Sequence, residues 1–301
     1  MTVVSSVVDL SYIQRKCDIR IRNYFWKEFM DFYAPCLYMK SKYHHFSCIL
    51  HGSLYFRLGD HFCVECGAHI APFTFLSLCD ACLQNEDTAK FLCILKGAGA
   101  PYEKQCNLDD PPCHDLYRRD SFCQTEHLVY IGRFGSLFKA GVTRKSRKEF
   151  SGMYSRLLEQ GLDEALIISQ GLTLPEAQRL EAKVSALLNV PKWISFAAKA
   201  ESIIANVKKK LSQEEPLTKM DAIRTKLARF VPEDTISHVI VDHAYMMGYI
   251  NPDSIEWITR PEQIEGEVAV IKGNVLITRL DSKYLVYDLA KLQGREILLG
   301  D

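Results

Sequence analysis

Between residues 47 and 58 the string SCILHGSLYFRL sets two apolar-rich runs on either side of Gly52, a pattern that predicts a strand, a turn and a second strand. The alternation returns in HLVYIGRFGSLFKAGVTR, from His127 to Arg144, as two short strands around a glycine turn. Helical spacing follows around YSRLLEQG, then a strand at ALIIS, then a helix through TLPEAQRLEAKVSALL. In that last stretch Thr173 is the natural N-cap, Glu176 completes a capping box, and Pro175 is tolerated in the first turn. SIIANVKKKL and TKMDAIRTKLARF, within residues 201–230, carry apolar positions at helical spacing. The final GEVAVIKGNVLITRLDSKYLVYDLAKLQGREILLGD turns to β-branched runs punctuated by Gly, Asn and Asp, which predicts a small antiparallel sheet or barrel.

These runs predict an α+β protein in five segments: an N-terminal β-containing region (1–62), a cysteine-rich loop region (63–127), an α/β segment (128–200), a helical region (201–260) and a small β region (261–301). A chain of 301 residues with 48% hydrophobic and 25% charged residues can bury a substantial core, and its length suggests about two domains. MTVVSSVVDL has no basic region ahead of an apolar run, and no segment reaches the roughly 18 apolar residues of a membrane helix, so a cytoplasmic protein is expected. The net charge of zero gives no global argument for nucleic acid. Locally, however, residues 139–156 hold six Lys or Arg against one Asp or Glu. Such a run is either a solvated face or a contact surface for phosphates.

Most of the eleven cysteines crowd into residues 63–123, which suits metal binding better than disulfides. In CVECGAHIAPFTFLSLCDAC two CxxC pairs, Cys63 with Cys66 and Cys79 with Cys82, stand twelve residues apart. Two tight turns with two thiolates each complete the closed tetrahedral shell of structural zinc. A redox dithiol at CDAC is the rival, but it calls for a thioredoxin-like context that the neighbouring loops do not provide. Cys106, Cys113, Cys123 and His127 form a second, more widely spaced candidate zinc set, with Cys93 and His114 competing for places. Glu181 borders the apolar stripe of Ala177, Leu180, Val184 and Leu188, so its carboxylate needs a cation or an arginine as partner. The plainer readings are a snorkelled Glu181, an Arg156 paired with Glu159 or Glu149, and a Tyr130 that is simply core.

Residues 127–193 resemble the GIY-YIG nuclease superfamily, especially divergent members in which KxGxT replaces the second tyrosine motif. The resemblance lies in LVY ending at Tyr130, KAGVT from Lys139 to Thr143, Arg156, and Glu181 in RLEAKV. It implies a tyrosine in proton transfer, an arginine supporting phosphate charge and a glutamate holding one divalent cation, magnesium or manganese. Those roles fall on Tyr130, Arg156 and Glu181, with Asn189 the nearest match to a late polar residue. Lys139 stands where the second motif has its tyrosine, and a protonated lysine stabilises charge without accepting a proton. Over almost the entire chain, the cysteine series running into VYIG, KAGVTR and EQG is similar to the bacterial and archaeal family called domain of unknown function (DUF) 2797. That family usually carries another close cysteine pair where this chain has only Cys93.

The leading expectation is therefore a zinc protein that binds DNA or RNA, with metal-dependent endonuclease activity at Tyr130, Lys139, Arg156 and Glu181. Phosphates would be held by Arg144, Lys145, Arg147 and Lys148, and bases stacked on Phe134, Phe138 and Phe150. The alternatives are a non-enzymatic RNA- or ribosome-associated or protein-interaction module and, third, a thiol redox protein.

Overall fold

The structure is a computed structural model that describes residues 19–29, 32–40, 45–72, 77–84, 123–145, 152–209, 216–232, 235–241 and 250–298. The chain folds as two compact units, one of residues 1–83 with 245–301 and one of residues 84–244. Both helices and strands are present, the sheets are mainly antiparallel, and the α+β class holds.

The first unit is built on β1 (Ile19–Phe29), β2 (Phe32–Lys40), β3 (His45–Ile49), β4 (Ser53–His61), β9 (Ile255–Ile258), β10 (Gln263–Lys272), β11 (Val275–Leu280), β12 (Lys283–Asp288) and β13 (Arg295–Leu298). They form one sheet in the order β3-β2-β1-β13-β4-β10-β11-β12-β9. Alternation in β4 buries Leu54, Phe56 and Leu58 and leaves Tyr55 and Arg57 outward. In β11 four successive residues, Val275 to Thr278, are buried, so that strand is covered on both faces.

The strands flanking Gly52 form where the sequence places them, with Gly52 at φ +64°. They do not pair with each other: β3 lies against β2, and β4 lies between β13 and β10. The C-terminal strand has entered the N-terminal sheet, so the two β regions that the sequence separates share one sheet. The Arg295 guanidinium anchors this arrangement, donating to the carbonyls of Gly59 (2.8 Å), Pro261 (3.0 Å) and Leu58 (3.2 Å). In the segment expected to be helical to residue 260, among the described residues the last α-helix ends at Leu227 and two short strands follow, Ser237–Ile240 and Ile255–Ile258.

The second unit carries β5 (His127–Phe134), β6 (Leu137–Arg144), β7 (Glu164–Leu172) and β8 (Ser237–Ile240) in the antiparallel order β6-β5-β7-β8. After α1 (Asp80–Gln84), the helices are α2 (Gly152–Gln160), α3 (Leu174–Leu188), α4 (Phe196–Lys209) and α5 (Pro216–Leu227). The α3 capping box is present, with Glu176 Oε2 accepting from the Thr173 amide at 2.8 Å and from its hydroxyl at 2.6 Å.

Strand periodicity sorts the hairpin β5–β6 into two faces. Val129, Ile131 and Ala140, with Leu166 and Ile168 of β7, pack against Ala177 and Val184 of α3 and Met220 and Leu227 of α5. The cross-strand pairs Tyr130 with Gly141 and Gly132 with Lys139 therefore share the other face. Gly141 is required by its neighbour: a Cβ there would stand 2.4 Å from the Tyr130 ring and 2.5 Å from its hydroxyl oxygen. Gly141→Ala should cost roughly 1–3 kcal/mol of stability, the usual penalty for overfilling a packed site. Urea unfolding will measure it, and a wild-type midpoint would show that the phenol does not lie across β6.

Candidate functional site

After β4 the chain doubles back through Cys63, Cys66 and Gly67. The turn is closed by Cys63 N–H to the Ala68 carbonyl (2.7 Å) and Gly67 N–H to the Cys63 carbonyl (2.9 Å). The second pair arrives at the start of α1, with Cys79 just before the helix and the Cys82 amide within it donating to Cys79 Sγ at 3.4 Å. All four sulfurs lie within 4.8 Å of one another, Cys66 and Cys79 at 3.5 Å. Val64, Ile70 and Leu78 pack beside them.

The thiols cannot all ionise together without a cation. At Cys63 burial raises the pKa, but backbone hydrogen bonds from Cys79, Cys66 and Glu65 outweigh it and bring the thiol to about 6. Hydrogen bonds with Cys66 and Cys79 push Cys82 up to about 12. A divalent ion resolves this conflict by holding four thiolates at once, so the donor set fits a metal such as zinc, with no coordination position left for substrate.

Of the second set, Cys106 and Cys113, with the competitors Cys93 and His114, lie outside the described residues. Cys123 is half-buried, and His127 is buried at the start of β5 with Nδ1 2.7 Å from the Thr125 carbonyl oxygen. Burial lowers the His127 pKa and Arg144 adds to the effect, against the Thr125 hydrogen bond. Among the described residues the four cysteines from 63 to 82 are the cluster that could hold a metal ion.

The hairpin residues meet at the edge strand β6. Lys139 is 5% exposed and its Nζ donates to Gln160 Oε1 at 2.9 Å, from the end of α2. Burial lowers its pKa to about 7, with Arg156 and Lys199 adding to the effect and Glu181 opposing it. Glu181 is buried on α3, with Lys192 Nζ 3.5 Å from Oε2. Burial raises its pKa, while Lys192 and Lys139 draw it back. Arg156 takes the plainer role in part, donating to Glu159 at 2.9 Å. Tyr130 is 1% exposed, on the same face as Lys139 and diagonal to it across the hairpin.

The remaining candidates scatter. Lys145 pairs with Glu126 at 3.0 Å on the surface, Arg144 lies close enough to act on His127, and Arg147 and Lys148 are outside the described residues. Phe134 is fully buried with Lys199 Nζ 5.8 Å from its ring centroid and offers no stacking surface, and Phe138 is half-buried and packs against the core. Phe150 lies outside the described residues. Asn189 is the left-handed C-cap of α3, at φ +52°. Sequence reasoning missed Gln160, Lys192 and Lys199, and it missed Trp193, which is 82% exposed. The one local signal was a tryptophan beside a lysine in PKW, just past a helix end.

A sequence profile of the family described as Protein of unknown function (DUF2797) matches residues 53–297. The chain belongs to that family. Neither a curated protein nor a solved structure matches it. No helix among the described residues is long and apolar enough to cross a membrane.

Protein purified without chelator should carry at least one divalent metal ion per chain by elemental analysis, and the double variant Cys79→Ser/Cys82→Ser should lose it. A metal-free but folded wild type would refute the assignment. A second expectation concerns pH. The Lys139 pKa of about 7 lies below the ordinary 10.5, so between those values the native chain binds fewer protons than the unfolded one and stability rises with pH. Below pH 7 both states are protonated and the full cost of the buried charge remains. Lys139→Met should therefore exceed the wild type in stability by roughly 2 kcal/mol or more at pH 6. The gap should close toward pH 10. Thermal unfolding of both proteins across that range will show a constant gap instead if Lys139 keeps its ordinary pKa.

Proposed function

We propose that this member of the DUF2797 family is a zinc-containing nucleic-acid-binding protein, with phosphate groups held beside the hairpin β5–β6 and the zinc bound structurally by Cys63, Cys66, Cys79 and Cys82. The observation that carries the reading is the gathering of Arg156 and Lys199 near Lys139 at the edge of the four-stranded sheet, with Glu181 the acid that Lys139 and Lys192 share. Local positive charge of this kind is what phosphate contacts need, whatever the net charge of the chain. Trp193 adds an exposed aromatic face next to Lys192 on which a base can stack. The Ala140 amide donates to the Pro191 carbonyl at 2.9 Å, which lays that connector along β6. A reducing, cytoplasmic compartment accords with thiols kept for metal. The redox reading loses support, since CDAC stands with two further thiols rather than as an isolated dithiol.

Metal-dependent strand cleavage is the second reading. It is favoured by the inward Glu181 and by a Lys139 whose pKa of about 7 lets a fraction of its amine accept a proton at neutral pH. In that reading Glu181 holds magnesium or manganese, Arg156 supports phosphate charge, and Tyr130 and Lys139 share proton transfer, as the GIY-YIG resemblance implies. The Lys192 ion pair at Glu181 and the depth of Tyr130 weigh toward binding without cleavage.

Fluorescence anisotropy with labelled single- and double-stranded DNA and RNA, across a salt series, tests the binding. Replacing Lys139, Arg144, Lys145 and Arg156 together by Gln should weaken affinity for all sequences and flatten the salt slope by about one unit for each phosphate no longer neutralised. An unchanged slope would leave the cations as a solvated face. Glu181→Gln should abolish any magnesium-dependent cleavage while sparing binding, because it removes a cation ligand but little shape.

A further inference from the structure

The first unit has a cationic cavity of its own, of about 250 Å³, beside the cysteine cluster. Arg20, Arg22 and Lys40 line it with Phe62, Glu65 and Gly67. Arg20 and Lys40 are directly opposed across β1 and β2, a like-charge pairing that costs stability unless something neutralises it. Arg22 falls at a register shift between Ile21 and Asn23, and such a bulge re-aims a side chain.

The cations have few protein partners. Arg20 Nη1 donates to the Gly67 carbonyl at 2.9 Å, and its guanidinium carbon stands 4.0 Å from the Phe62 ring centroid. Its Nε is buried with no hydrogen-bond partner. Arg22 stands 3.6 Å from Glu65, whose side chain is 56% exposed. Lys40 has no ion pair among the described residues. Glu296 sits across from Arg20 on β13, but its carboxylate oxygen lies over Gly59. Three cations thus face one lining acid, and a buried donor is left without an acceptor.

We propose that this cavity binds a phosphate ester, with Arg20, Arg22 and Lys40 supplying charge to the phosphate oxygens and Phe62 walling one side. Guanidinium groups donate to phosphate oxygens in a fixed fork geometry, and an ammonium adds a point charge. About 250 Å³ is below the usual range for whole cofactor sites, so the ligand is a phosphate with at most a small attached group. That phosphate belongs either to a free mononucleotide or to the end of a strand, with sugar and base outside the cavity.

The competing role for these cations is to neutralise a metal bound by four thiolates, a centre of net negative charge next to the cavity. The test separates the roles. The whole chain, metal-loaded, is titrated with inorganic phosphate, a 5′-mononucleotide, and single strands with and without a 5′-phosphate, using calorimetry. Each titration is run on the wild type, Lys40→Gln and Arg20→Lys, and metal content is measured for every protein. Saturable phosphate binding is expected, about tenfold weaker in Lys40→Gln, since one charge-assisted hydrogen bond is worth roughly a factor of ten. Arg20→Lys, which keeps the charge but drops the planar guanidinium fork, should also weaken binding while metal content stays at wild type. A tighter mononucleotide indicates free nucleotide as the ligand, and a dependence on the 5′-phosphate of the strand indicates a strand end. No saturable binding, or equal affinity in Lys40→Gln, overturns the proposal. So does a loss of metal in the variants without a loss of phosphate affinity. None of these results bears on hairpin binding, which is read from Lys139 and Arg156.

Discussion

The first unit depends on one short strand that arrives last. β13 fits between β1 and β4, so neither N-terminal strand completes its hydrogen bonding until the far end of the chain returns. The entry is fixed by backbone bonds: Gly294 N–H to the Ile21 carbonyl and Phe62 N–H to the Gly294 carbonyl, both 2.8 Å. Gly294 has φ +81°, and a Cβ there would lie 2.6 Å from the Phe62 oxygen, so this crossing admits only glycine without a shift. The Ser77 hydroxyl donates to the Gln293 carbonyl at 2.8 Å and Val64 N–H to the Ser77 carbonyl at 2.9 Å, tying the crossing to the cysteine turns. The same strand closure thus sets the position of the four sulfurs and of the cationic cavity beside them.

In the second unit the governing fact is the division of the hairpin into two faces. One is given wholly to the apolar core with α3 and α5. The other receives Tyr130, packed across Gly141, and Lys139, carried under cover where its charge is costly. Lys139 is tolerated there because Gln160 accepts its hydrogen bond and burial lowers its proton affinity. Glu181 meets the same difficulty from α3 with the opposite sign, and Lys192 relieves it. Each buried charge is compensated by a group from a different element, so the site exists only in the folded unit.

How much was legible follows the range of the interactions. The α3 capping box was readable because Thr173 and Glu176 are three residues apart and their bonds are local. The hairpin was readable from Gly135, which reaches φ +58° at the turn between two alternating runs. The four-cysteine cluster was readable because each CxxC fits one turn. The partner of Glu181 was legible only as a requirement: the helical wheel demanded a cation or arginine but could not choose Lys192, which lies beyond the helix end.

The sequence by itself determined the hairpin, the capped helix α3, the two cysteine pairs suited to a metal and the need for charge compensation at Glu181, because each rests on local spacing. Only the tertiary structure decided that the two β regions are one sheet, since the pairing of β13 with β1 and β4 depends on backbone groups more than two hundred residues apart, as between the Gly294 amide and the Ile21 carbonyl. It also decided that Lys139 is buried with a pKa of about 7 rather than exposed and protonated, because desolvation is a property of everything packed around the amine. Nothing in the sequence singled out Arg20 and Lys40. They became the wall of a cavity only when β1, β2 and the cysteine turn were brought together.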